Sequence, residues 1–208
     1  ESNTITLTAA SDTDNVNDSP TGSVTISGTA TEDQVLTAAN TLADEDGLGS
    51  ITYAWNRAGT AISGATSSTY TLVQADVGSA ITVTASYDDS YSQSESSTSA
   101  ATAAVANVND AGSGLSLASD GDVADPDEDD ELSVTGTLAD EDGVTGASPT
   151  YQWSRGSSAI SGATSSAYTL VQADVGSIMS VAISYTDDQT ESNTITLTAA
   201  SDTDNVND

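Results

Sequence analysis

The first eighteen residues, Glu1 to Asp18 (ESNTITLTAASDTDNVND), recur without change as Glu191 to Asp208. An identical block separated by roughly 190 positions is the mark of a tandem array, in which each unit must pack on its neighbours and on itself. It predicts that the chain is one period of a longer repeat. A second, looser repeat lies inside the first. Ile62 to Ser79 (ISGATSSTYTLVQADVGS) matches Ile160 to Ser177 with a single difference, Thr69 against Ala167, and TLADEDG occurs at Thr41 to Gly47 and Thr137 to Gly143. The expected layout is a last strand and linker of a preceding repeat over 1–18, module A over 19–110 and module B over 111–208. Each module is then roughly 90–100 residues, enough for a modest core.

Within each module the apolar residues alternate. Ile51, Tyr53 and Trp55 fall on one face, as do Ile81, Val83, Ala85 and Tyr87. Tyr151 and Trp153, and Met179, Val181, Ile183 and Tyr185, repeat those two sets in module B. Period-two alternation with abundant Thr, Val and Ile predicts half-buried strands, and no stretch holds a helical period over ten residues. The fold class is all-β, with short strands set between Gly, Asp and Ser turns. Trp55 and Trp153 sit at inward positions, where core packing explains them better than a sugar-binding role.

The charge is lopsided. Thirty-two acids stand against two bases, Arg57 and Arg155, with no Lys, His or Cys, for a net charge of −30. A surface of this kind repels nucleic acid and anionic membranes and attracts cations. Nucleophilic triads that need His or Cys, and Schiff-base chemistry that needs Lys, are excluded by composition, so no enzymatic activity is expected. Paired carboxylates could in principle hydrolyse glycosides, but that chemistry needs a cleft with aromatic platforms. Without disulfides, an extracellular protein must rely on its core or on a metal. No run is long enough to span a membrane, and no direct membrane contact is expected.

Trp55 with its polar hairpin, ISGATSSTYTL and the Asp76-Val77-Gly78 corner resemble an immunoglobulin-like domain, and Trp153 with Asp174-Val175-Gly176 repeats the set. The two cysteines and the corner tyrosine of antibody-type domains are missing. Combined with the ADEDG loops and NVND joints, the chain is similar over nearly its whole length to the tandem extender repeats of giant bacterial RTX adhesins. That resemblance implies two immunoglobulin-like Greek-key β-sandwiches arranged end to end with calcium-dependent, cadherin-like joints. It also implies a location at the bacterial cell surface and a ligand-binding domain elsewhere in the protein.

The acids cluster in four kinds of loop. The joints hold Asp12, Asp14, Asn17 and Asp18; Asn107, Asn109 and Asp110; and Asn205, Asn207 and Asp208. The loop after the second strand holds Asp44 and Asp46 in module A and Asp140 and Asp142 in module B, with Glu45 and Glu141 between them. The last hairpin holds Asp88 and Asp89, or Asp187 and Asp188, and the first turn holds Glu32 and Asp33, or Glu128 and Asp129. In an immunoglobulin-like sandwich these loops lie at the two ends, so stacking modules gathers them at the joints. Hard oxygen ligands without His or Cys suit Ca²⁺, which takes six to eight of them; Mg²⁺ demands a stricter octahedron. These residues are therefore the expected calcium ligands, and the partners are calcium ions and neighbouring repeats of the same chain. Asp76 and Asp174 are expected to cap the corner turn instead.

The functional expectation is a structural extender of a cell-surface adhesin, stiffened by calcium and projecting a distal binding domain. The alternatives are a module binding polysaccharide or a host surface through exposed aromatics, of which Tyr91 is the one clear candidate, and an accessory domain of a secreted enzyme. Glu1 to Thr8, lacking a module of its own, is expected to pack on a neighbouring chain or on the edge of module A.

Overall fold

The computed structural model describes residues 16–205. Its internal contacts divide the chain into Glu1–Ala106 and Asn107–Asp208, so the NVND residues 107–110 go with the unit they precede. Among the described residues no helix is long and apolar enough to cross a membrane, and the protein is all-β apart from one 3₁₀ turn at Gln74–Asp76.

In the first unit, β1 (Val24–Ser27), β2 (Val35–Asn40) and β5 (Thr69–Thr71) form one sheet in the order β1-β2-β5. The other sheet, in the order β4-β3-β6-β7, comprises β3 (Thr52–Arg57), β4 (Thr60–Ala61), β6 (Ile81–Asp88) and β7 (Ser94–Thr98). All these pairings are antiparallel. The alternation in β6 is complete: Ile81, Val83, Ala85 and Tyr87 are buried, and the Thr and Ser residues between them are not. They pack with Trp55 from β3 against Val24, Leu36 and Ala38 from the facing sheet. Each large aliphatic side chain buried this way stabilises the unit by about 1.5–3 kcal/mol. Trp55 stacks on Tyr70 with ring centroids 5.7 Å apart and donates its Nε1–H to the Ser67 carbonyl at 2.8 Å, so its one polar group is satisfied inside the core.

The second unit repeats the plan. β8 (Ser113–Ser119), β9 (Glu131–Ala139) and β12 (Ala167–Thr169) make one sheet. β10 (Thr150–Arg155), β11 (Ser158–Ala159), β13 (Ile178–Thr186) and β14 (Ser192–Asp202) make the other. Trp153 stacks on Tyr168 at 5.8 Å.

The closing strands differ between the units. β14 runs eleven residues, whereas β7 stops at Thr98 after five. Beyond that point two hydroxyls replace backbone carbonyls in the ladder. The Val83 N–H donates to Ser99 Oγ at 3.1 Å and the Ile81 N–H to Thr102 Oγ1 at 3.0 Å, and pairing resumes as isolated bridges at Ala104, Val105 and Ala106. Side chains that compete locally for backbone donors interrupt a strand in this way.

Candidate metal-binding loops

In each unit the acidic loops fall at the two ends of the second strand. β2 separates the Glu32-Asp33 turn from the ADEDG loop, and β9 separates Glu128-Asp129 from Asp140 to Asp142. The first turn is tied to the point where the chain leaves the unit. Glu32 N–H donates to the Ala106 carbonyl at 2.9 Å, and Glu128 N–H donates to the Asp204 carbonyl at 2.9 Å. Asp33 and Asp129 take positive φ values of 62° and 73°, a conformation that Asp tolerates better than most residues. Glu32 is buried, Glu128 half-buried, and both aspartates exposed.

The opposite end is tied to the incoming chain. Asp18 N–H donates to Asp46 Oδ2 at 2.7 Å in the first unit, and Asp110 N–H donates to Asp142 Oδ2 at 2.9 Å in the second. The last acids of the two ADEDG loops, Asp46 and Asp142, thus hold the last residue of each NVND joint through its backbone. That orientation brings carboxylate oxygens of Asp110 and Asp142 within 4.8 Å of each other. Asp142 is only 2% exposed, and its Oδ1 is buried without a hydrogen-bond partner. Two carboxylates at 4.8 Å repel by about 3 kcal/mol at an effective dielectric of 20, so the arrangement favours a cation with hard oxygen ligands.

The first acid of each loop is engaged by a tyrosine and by the loop's own backbone. Asp44 accepts the Tyr87 hydroxyl at 2.5 Å through Oδ2 and the Asp46 N–H at 2.9 Å through Oδ1. Asp140 does the same with Tyr185 and Asp142. Burial first, then the adjoining carboxylate, push both tyrosines well above the usual range, which keeps them protonated as donors. Gly47 and Gly143 close the loops at φ values of 98° and 85°, where a Cβ would lie 2.2 Å from Ser90 Oγ and 2.4 Å from Asp188 Oδ2 respectively. The ADEDG loop and the last hairpin therefore touch only because this position is glycine.

The register shows that the paired acids of the last hairpins are not equivalent. Tyr87 lies opposite Glu95, and Tyr185 lies opposite Asn193, so Asp89 matches Asp187, while Asp88 matches Thr186. Asp89 Oδ1 accepts from Tyr91 and Gln93 N–H, and Asp187 Oδ1 accepts from Gln189 and Glu191 N–H, which shapes each hairpin. Asp88 bonds the Ser94 hydroxyl at 2.7 Å, and Asp188 accepts the Thr145 N–H at 2.9 Å. In the joints, Asn17 donates to Glu95 at 2.6 Å and Asn109 to Asn193 at 2.9 Å. Asn107 is half-buried, and Asn205 is exposed beside Gln172. Asp12, Asp14, Asn207, Asp208 and the Glu1 to Thr8 segment lie outside the described residues.

Sequence reasoning passed over the two arginines. Asp76 and Asp174, both fully buried, cap their corners by accepting the Val73 and Val171 N–H groups at 2.9 Å. Each also accepts from a tyrosine hydroxyl, Tyr70 or Tyr168, and from an arginine Nε, Arg57 or Arg155, at 2.6 Å. Hydrogen bonding to the carboxylate raises both arginines further above their ordinary range. The signal was present: the only two bases stand at matched positions in the two modules.

No family model and no curated protein matches the sequence. Among solved structures, the chain is similar to three N-terminal domains of the highly immunogenic outer capsid protein of bacteriophage RB49, at 16% identity and a TM-score of 0.32. It covers 89% of this chain and 59% of that one. It is also similar to a Ca²⁺-stabilised, ice-binding adhesin of an Antarctic bacterium, at 13% identity and a TM-score of 0.35, over 93% of this chain and 51% of the adhesin chain. The chain thus spans little more than half of either structure.

Proposed function

We propose that the chain is a calcium-stiffened extender of a bacterial cell-surface adhesin, two immunoglobulin-like Greek-key sandwiches in tandem. The observation that carries this reading is the Asp110–Asp142 pair, a buried carboxylate with a free oxygen fixed beside a joint carboxylate by the joint's own backbone. No basic side chain is left to neutralise it, because Arg57 and Arg155 are the chain's only two and both are bound to corner aspartates.

In this reading Ca²⁺ takes Asp142 and Asp110, with Asn107 and Asn109 alongside. Asn17, Asp18 and Asp46, and Asn205 with Glu128 and Asp129, serve the corresponding joints on either side. The mechanism is mechanical. Millimolar calcium outside the cell clamps successive modules into a rod, and in calcium-poor cytosol like-charge repulsion keeps the joints loose for export.

Small-angle scattering and thermal melting with calcium and with chelator test the proposal. A longer, more rigid particle and a higher melting midpoint in calcium are expected. A length and midpoint indifferent to chelation would refute it. A polysaccharide-binding role finds less support: Tyr91, 59% exposed, has Gln189 at its place in the second unit, so it has no matching platform.

A further inference from the structure

One difference between the units reaches a buried carboxylate. In the second unit, Asn193 is buried opposite Tyr185 and donates its amide to Asp187 Oδ2 at 2.7 Å, while its own Oδ1 accepts from Asn109. Every polar atom of that Asp187 carboxylate is thereby satisfied. In the first unit, Glu95 takes the place of Asn193, opposite Tyr87. A carboxylate cannot donate as the amide does, and Asp89 Oδ2, on a residue 7% exposed, is buried without a hydrogen-bond partner. Asn17 approaches Glu95 Oε1 at 2.6 Å from the joint.

We propose that Asp89 and Glu95 form a divalent-cation site internal to the first unit, which the second unit has replaced with the Asn193 amide. Asp89 Oδ2 is fixed, because Oδ1 of the same carboxylate is held by two backbone N–H groups at 2.8 Å. Glu95 supplies one or two oxygens from the strand. The Asn17 amide, whose oxygen and nitrogen exchange by a half-turn about its side-chain axis, presents its oxygen to the cation in place of the N–H it gives to Glu95. Water completes the shell, as Ca²⁺ with its loose geometry permits. No arginine competes, both being bound at the corners. The site stands on one unit alone and does not require the calcium-bridged joint.

Calcium titration of the full chain by calorimetry, with melts in calcium and in chelator, tests the assignment. Glu95→Asn copies the second unit. It is expected to remove one calcium equivalent per chain, and in chelator to raise the first unit's melting midpoint by about 4–8 °C, the effect of one ordinary buried hydrogen bond in a unit this size. Glu95→Gln is expected to remove the same equivalent with less change to the strand. The reciprocal Asn193→Glu is expected to add one equivalent and lower the midpoint in chelator. Unchanged stoichiometry in both Glu95 variants, or a midpoint in chelator that falls in Glu95→Asn, would overturn the proposal. Asp142→Asn serves as the control for the joint. A loss there with none in the Glu95 variants refutes this site and leaves the joint standing, and the reverse result refutes the joint and leaves this site.

Discussion

Arg57→Met removes a charge while keeping most of the side chain's apolar stem, and the structure sets the size of its effect. Asp76 is fully buried and receives three hydrogen bonds, of which the arginine's, at 2.6 Å, is the shortest and brings the only countercharge. Removing one partner of a buried ion pair costs about 3–5 kcal/mol, and a hydrogen bond to a charged group contributes about 1.5–3 kcal/mol. The Arg57 side chain is 31% exposed, so solvent already screens part of the attraction and the cost is discounted to about 2–4 kcal/mol. In a unit of roughly 100 residues that lowers the melting midpoint by about 10–20 °C.

Calorimetry in chelator should resolve this loss in the first unit. Asp76→Asn keeps the shape and removes the buried charge, so adding Arg57→Met to it should lower the midpoint by less than half as much as Arg57→Met does alone. A loss of less than about 3 °C in Arg57→Met, well under the equivalent of 1 kcal/mol, would refute the reasoning. So would an effect that is the same in both backgrounds, since the loss would then come from packing of the stem.

Alkaline pH acts through the tyrosines. Tyr70, Tyr87, Tyr168 and Tyr185 are all raised above their ordinary range, first by burial and then by an adjoining carboxylate. A raised folded-state value stabilises fully below the unfolded value of about 10 and is lost as pH climbs toward the folded one, so midpoints in chelator should drop above about pH 10. The double variant Tyr87→Phe, Tyr185→Phe should show a shallower drop in melts between pH 9 and 11.5. Asp142→Asn should change sign with conditions, raising the midpoint in chelator by relieving its repulsion with Asp110 and abolishing much of the calcium-induced rise; a fall in both conditions would count against a cation there. Gly47→Ala forces a Cβ against Ser90 at a positive φ and should destabilise the first unit by about 1–3 kcal/mol, read from its melt; an unchanged midpoint would show that the loop has room to move.

Most of the strand pattern was legible because burial in a two-sheet unit imposes a period of two, and β6 and β13 keep it without exception. Trp55 and Trp153 were legible as core for the same reason. The early end of β7 was not, because it depends on Ser99 and Thr102 hydroxyls taking donors that a carbonyl would otherwise accept, and Ser and Thr are equally at home within strands. The acidic loops were visible as clusters, but composition cannot rank their members. Asp44 and Asp46 stand two residues apart in one motif, yet the first is spent on a tyrosine and a turn while the second holds the incoming chain. The Glu95–Asn193 difference required register, since counting along the two hairpins from their DD pairs misaligns them by one.

The scarcity of bases ties these observations together. A chain with many arginines and lysines can neutralise buried carboxylates internally and fold the same way in any medium. Here two bases serve thirty-two acids, and both are placed where solution ions could not easily substitute, on fully buried aspartates inside a unit. Most of the remaining carboxylates lie in loops and turns, where an ion can arrive from solvent after the core has formed. On the proposed reading, core folding and joint stiffening fall to different cations, one covalent and one exchangeable. It follows that Arg57→Met should lower the melting midpoint by similar amounts with and without calcium, whereas Asp142→Asn should not. Equal calcium dependence in the two variants would contradict that division.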